Sequence, residues 1–338
     1  MAKPKPPLLS LHQIEPGQLA DCFAILSDKT LTITRDGKTF VNSKFKDRQR
    51  TVSAAVWSDN VLFDDAKDWQ VGQFYKLRGT FSEHERYGPK FDLIQIRPIN
   101  DEDRKDGFRE SDLIPFSQFD PEEMFTELRL TVEKELQNEP LKKLVLDLLD
   151  DNALSLKSLP ASARHYYPFP GGWLEHTTSV LHTALLLAEW YILRFPKLNP
   201  PLNRDLVAAG AVLHDMGRLN ELTPAIPGVD PEQTIPGALL GHQLLARDLV
   251  REKAREIEGL DPELLLLLEH ILLSHLIKPE WGSVRLPAIP EVLILHNADD
   301  LDAKFEMYAR CLSNDLSPGP FTERDPILNK PLLKQRSV

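Results

Sequence analysis

The chain has 338 residues, 42% hydrophobic and 27% charged, which is room for two domains and ordinary for a globular protein. No apolar run reaches the roughly 18 residues that span a bilayer, and Met1-Ala-Lys-Pro-Lys-Pro-Pro has no apolar signal core, so a cytoplasmic protein without a membrane partner is expected. Cys22 and Cys311 lie far apart with no CxxC spacing, which excludes a disulfide framework and a thiolate zinc site. The net charge of −11 is uneven: residues 1–100 carry 15 Lys and Arg against 12 Asp and Glu, and the rest of the chain holds the acidic excess. A mildly basic N-terminal module could still hold a polyanion locally.

Residues 1–20 are a Pro-rich lead-in. From 21 to 100 the pattern is short and period-two, with predicted strands at 23–26, 31–34, 39–41, 51–57, 74–81 and 91–96. Asp36-Gly37 and Tyr87-Gly88-Pro89 supply turn signals. This density of short strands predicts a small closed barrel of five strands, with the OB-fold as first candidate. Lys44, Lys46, Arg48, Arg50, Lys76 and Arg78 alternate with Phe40, Trp57, Tyr75, Tyr87 and Phe91. Cations with exposed aromatics suit single-stranded nucleic acid, through phosphate neutralisation and base stacking. Phe40, Lys44, Trp57, Tyr75, Arg78 and Tyr87 are the candidate contacts. The plainer reading is core aromatics and solvated lysines; exposure of Phe40, Tyr75 or Tyr87 on one face decides between the two.

Residues 101–119 read as a charged, irregular linker, and 120–312 as a helical domain. Asp120-Pro121-Glu122-Glu123 starts a helix with an acceptor at the cap, proline in the first turn and acids at the positive end of the dipole. Further helices are predicted over 141–149, 172–194, 203–216, 237–258, 261–277 and 288–312, followed by a tail from 313 to 338.

The chemistry is sought at His214-Asp215, which ends the apolar run Ala208–Leu213. An imidazole and a carboxylate there are costly unless something binds them, and a divalent metal is the natural binder. His176, His242, His275 and Asp299 ride on other apolar helical segments. Each alone is an ordinary buried polar group. Six together in one helical domain suit Mn, Fe, Ni, Co or Zn, with a carboxylate able to bridge two ions. At 100° per residue His182 lies about 120° round from His176, and His270 about 140° from His275, so neither shares a face with its neighbour. They read as core or supporting groups, His270 the more open case. Asp302 lies about 60° from Asp299 and could buttress the site or meet substrate. His12 and His84 are expected to be solvated.

The order H…HD…H…H…D resembles the HD-domain metal-dependent phosphohydrolase superfamily, and more narrowly the YhaM-type bacterial 3′-to-5′ exoribonucleases, which join an OB-fold to an HD domain. The likeness is carried by Gly171-Gly-Trp-Leu-Glu-His-Thr177, Leu213-His-Asp-Met-Gly-Arg218, Leu240-Gly-His242, Ile271-Leu-Leu-Ser-His275 with Glu280-Trp-Gly-Ser283, and Leu295-His-Asn-Ala-Asp-Asp-Leu-Asp-Ala303. The resemblance implies that His176, His214, Asp215 and Asp299 bind a first ion, with His242 and His275 completing a second site around a bridging Asp215. His214, Asp215 and Arg218 would be catalytic, and His270, Asp302 and Lys278 supporting or substrate groups. It further implies one or two divalent ions, manganese first and Fe, Ni, Co, Zn or Mg as alternatives. The activity implied is 3′-to-5′ cleavage of single-stranded RNA, or DNA, by metal-activated water. Two residues depart from the pattern: Arg218 stands where relatives often carry lysine, and Leu276-Ile277 where they tend to read His-Gly. The alternatives are a phosphohydrolase of a nucleotide or small ester, or a nucleic-acid-binding protein with a degenerate site. The oligomeric state is left open.

Overall fold

A computed structural model of the chain describes residues 5–34, 36–85, 88–224, 226–315 and 317–334. It divides into two compact units, one running to residue 116 with the short segment Ile226–Val229, the other comprising the remainder. In the first, five strands are seen among the described residues: β1 Leu19–Ile33, β2 Thr39–Lys46, β3 Thr51–Trp57, β4 Phe74–His84 and β5 Gly88–Pro98. They close into a barrel in the order β1-β2-β3-β5-β4. All pairings are antiparallel except β3 with β5, where Ser53 faces Lys90. That order, with helix α1 (Phe63–Asp68) between β3 and β4, is the OB-fold. Alternation drives it: along β3, Val52, Ala54 and Val56 point inward while Thr51, Ala55 and Trp57 face out.

The strands expected at 23–26 and 31–34 are one. Leu19–Ile25 pairs with β4 and Ile25–Ile33 with β2, with an irregularity in register between Leu26 and Asp28. The polar run Ser27-Asp-Lys-Thr30 looks like a turn in sequence, but it continues the strand past that bulge, letting one strand join both ends of the sheet. The expected linker also begins with structure: Asp101–Lys105 forms helix α2, closed by a capping box between Asn100 and Asp103. Asp103, almost fully buried, takes Arg97 at 2.6 Å and Lys76 at 3.0 Å.

The second unit is helical: α3 Pro121–Glu135, α4 Glu139–Asp151, α5 Ala153–Leu156, α6 Gly172–Arg194, α7 Arg204–Leu213, α8 Arg218–Glu221, α9 Ile235–Ala254, α10 Pro262–Ser274 and α11 Pro290–Asn314. Asp120, Asn138, Asn203, Thr234 and Asp261 cap five of them with side-chain acceptors. Helix α6 packs against both α7 and α11, and α10 against α7 and α9. One apolar cluster, including Trp173, Leu181, Val207, Leu213, Ile271 and Leu295, binds these helices together. Glycine is required at 217, where an added Cβ would lie 1.9 Å from the His242 carbonyl oxygen. Only that close approach lets the α7 exit meet α9.

Candidate metal centre

Each ligand position follows from a helix end or an inward helix face. His214 caps α7 and His275 caps α10. His176 lies in the first turns of α6, after Gly171 takes a left-handed φ of 81°. His242 follows Gly241, whose φ of 73° and ψ of 160° break α9. Asp299 lies inward on α11. The six gather as two groups, His176, His214 and Asp299, and Asp215, His242 and His275, whose ligand atoms lie within 4.8 Å of one another in each group. His176 Nε2 is 3.3 Å from Asp299 Oδ1 and His214 Nε2 3.9 Å from the same oxygen. Asp215 spans the groups, with Oδ1 3.3 Å from His242 Nε2 and Oδ2 3.8 Å from His214 Nε2.

The tautomers are set from behind. His214 Nδ1–H donates to the Ala211 carbonyl at 2.8 Å and His275 Nδ1–H to that of Leu272 at 2.9 Å. His176 Nδ1 lies 2.7 Å from Asp302 Oδ2. All four Nε2 atoms, with Asp215 Oδ1, are therefore buried with no hydrogen-bond partner among the described residues. Unsatisfied buried lone pairs converging on one volume are costly. A divalent ion on either group removes that cost, and the donor set of imidazoles and carboxylates fits one.

The electrostatics agree at His214 and His275 and oppose a neutral imidazole at His176. Burial, with His214 and His242 beside it, pushes His275 down to about 3, and burial also lowers His214 despite its carboxylate neighbours; both imidazoles are neutral at physiological pH, the form that can bind an ion. Burial would lower His176 too, but Asp299 and Asp302 outweigh it and raise it to about 10. Against burial, the close approach of His176 and the other imidazoles holds Asp299 at about 2. Burial is again outweighed at Asp215, where Arg218 and the surrounding histidines keep the carboxyl well below the usual range.

Arg218 is committed to this carboxylate shell. Its Nε is 3.3 Å from Asp215 Oδ1, Nη1 donates to Glu221 and Nη2 to the Tyr166 hydroxyl at 3.1 Å. Asp302 buttresses His176 and also accepts hydrogen bonds from Ser179 and, at 3.4 Å, Tyr167. Three partners escape a reading of the sequence. Tyr166 donates its hydroxyl to Asp215 Oδ2 at 3.0 Å, Trp173 donates Nε1–H to the Asp215 carbonyl at 3.0 Å, and Glu221 stands 3.7 Å from His242 Nδ1. Tyr166 and Glu221 lie outside the long periodic helices; Trp173 carried a signal, as part of the Gly-Gly-Trp motif.

Other candidates fall elsewhere. His270 accepts the Ala288 N–H at 3.0 Å, so its ring closes a loop and does not support the ligands. His182 is exposed, 3.9 Å from Glu127, and is no core residue. His12 is not simply solvated, since Nδ1 pairs with Asp47 at 2.8 Å. Lys278 is exposed beside Trp281. Ile277 takes a φ of 52°, a costly conformation for a β-branched residue, at the position where the resemblance leads one to expect glycine. On the barrel, Tyr75 is 1% exposed and its hydroxyl is bonded to Gln70 and Gln73. It is core, and stacking on it is excluded because its ring fills the barrel interior; Phe91 is core as well. Arg78 forms a two-point pair with Asp21, and Lys44 pairs with Asp28 at 2.9 Å. Phe40 and Trp57 remain on the outer face, ring centroids 4.6 Å apart, Trp57 being 40% exposed. Tyr87 lies outside the described residues.

A helical unit whose histidines and aspartates from five segments converge in the order H…HD…H…H…D defines an HD-type metal-dependent hydrolase, and the HD domain family model matches residues 173–304. The chain is 30% identical over 318 residues to the 3′-5′ exoribonuclease YhaM of Bacillus subtilis, covering 94% of each chain. It is 31% identical over 314 residues to YhaM of Listeria monocytogenes, covering 93% of this chain and 94% of that one. It belongs to the YhaM family. Among solved structures, the second OB-fold domain of replication protein A from Methanococcus maripaludis matches 28% of this chain and 95% of that one, at 14% identity and a TM-score of 0.22. Among the described residues no helix is long and apolar enough to cross a membrane.

Proposed function

We propose that this protein is a 3′-to-5′ exonuclease of single-stranded RNA, working with two divalent ions, manganese foremost. The observation that carries the reading is the pair of adjoining ligand groups, with Asp215 of the second standing 3.8 Å from His214 of the first and each of the four imidazoles leaving a buried Nε2 unpartnered among the described residues. Bound there, divalent ions would supply an acidified water as nucleophile and neutralise charge on the leaving oxygen. The protein's own groups do the rest. Asp215 faces both groups, and Arg218 keeps it ionised while Tyr166 fixes its second oxygen. Asp302 fixes the His176 ring. Buried Leu213, Met216 and Trp173 around the dyad exclude bulk water behind it. The outer face of β2 and β3 offers the Phe40–Trp57 pair with Asn42 and Lys44 further along, a platform for a strand of any sequence.

The test is incubation of the purified protein with 5′-end-labelled single-stranded RNA and Mn²⁺ beside Asp215→Ala. A ladder of mononucleotide steps that disappears in the variant is expected. Turnover of mononucleotides with the RNA left intact would replace this reading with a small-ester phosphohydrolase. No turnover of either would leave a degenerate site.

A further inference from the structure

The segment after His275 holds an aromatic and a cation that the metal centre does not use. Beyond α10 the chain turns through Ile277 and a short 3₁₀ turn, Pro279–Trp281, and Gly282 then takes a left-handed φ of 101°. Backbone bonds tie this segment down, from Ser283 N–H to the Lys278 carbonyl at 3.1 Å and from Val284 N–H to that of Leu273 at 3.0 Å. Trp281 is nonetheless 47% exposed. The indole lies nearly parallel to the His296 ring, at 26° with centroids 6.1 Å apart, and His296 Nδ1–H donates to the His275 carbonyl at 2.8 Å. A half-exposed tryptophan is thus held in fixed orientation one side chain away from a metal ligand. Lys278 Nζ stands 4.3 Å from the indole centroid and has no carboxylate partner among the described residues. Lys304 Nζ stands 5.9 Å from it, sharing its charge with Asp300.

We propose that Trp281 is the stacking platform for the 3′-terminal nucleobase of the substrate, and that Lys278 meets a phosphate of the same strand end; this rests on the exonuclease reading above. Every base has a π-face, so stacking holds whichever nucleotide has become terminal. An enzyme that advances one nucleotide at a time needs such indifference, which hydrogen-bond readout of base edges would defeat. Lysine suits the neighbouring role, as a flexible point charge that meets phosphate without imposing one geometry.

The test compares two oligoribonucleotides in full-length protein with Mn²⁺, identical except that one ends in a 3′ abasic ribose. For the ordinary substrate, Trp281→Ala should raise KM about 5- to 100-fold, the worth of one stacked base. For the abasic one the same substitution should change KM little, and Trp281→Phe should restore most of the difference. Bound metal per chain and melting temperature confirm an intact centre. An equal KM rise for both substrates, or none for either, overturns the assignment. Wild-type protein that shortens neither RNA would overturn the exonuclease reading instead.

Discussion

Asp302 touches His176 from behind, so its effect on chemistry passes through one imidazole. Removing such a support costs roughly 10- to 100-fold in metal affinity. Asp302→Ala should weaken Mn²⁺ binding by that factor in equilibrium titration, with activity recovered at excess metal; an unchanged affinity would show that the His176 ring is set by packing alone. At this scale the convergence of the six candidate ligands was legible because each is an ionisable group carried by an apolar segment, and the helical angle placed Asp302 beside Asp299. The same angle correctly set His182 and His270 apart from the ligands. It could not assign their surroundings, since exposure of His182 and loop closure by His270 depend on tertiary neighbours. Tyr166 was illegible because it reaches Asp215 from a loop, where no period relates position to direction.

Among the elements, α2 stands or falls with Asp103. Hydrogen bonds from Arg97, opposed by burial and reinforced by the Asn100 N–H and Lys76, hold this carboxyl far below its usual value. A depressed folded-state pKa contributes stability that is complete above the unfolded value near 4 and is lost as pH falls toward the folded one. Asp103→Asn should therefore cost about 2 kcal/mol at neutral pH. The gap from wild type should hold above about pH 4 and narrow progressively as the pH falls below it in urea titrations; a gap independent of pH would show that shape, and not charge, holds the helix. This helix was illegible because five residues are too few to display a period, whereas longer α3 and α10 announce themselves by Asp-Pro-Glu starts at 120–122 and 261–263. Strand β1 was misread as two because polarity at 27–30 marks a bulge and a turn alike.

For the whole molecule, the order of a β unit followed by an α unit was plain from the switch in hydrophobic period, and the barrel's closure came from counting short strands. Which aromatics face outward was not readable, because Phe40 and Tyr75 both sit in alternating runs and only the register separates surface from core. If the β2–β3 face holds RNA, Phe40→Ala with Trp57→Ala should raise KM by a factor that grows from a trinucleotide to a 20-mer, about 30-fold or more for the latter, since two stacks of about 1–3 kcal/mol each are lost. A penalty independent of length would remove that face from substrate binding.

The ligands are strewn along the sequence, with His176 first and Asp299 last, and Asp299 belongs to the final long helix, α11. No nascent chain halted before α11 leaves the ribosome can assemble the first ligand group. A copy cut short of α11 is therefore expected to hold no ion at that group, however well its earlier helices pack.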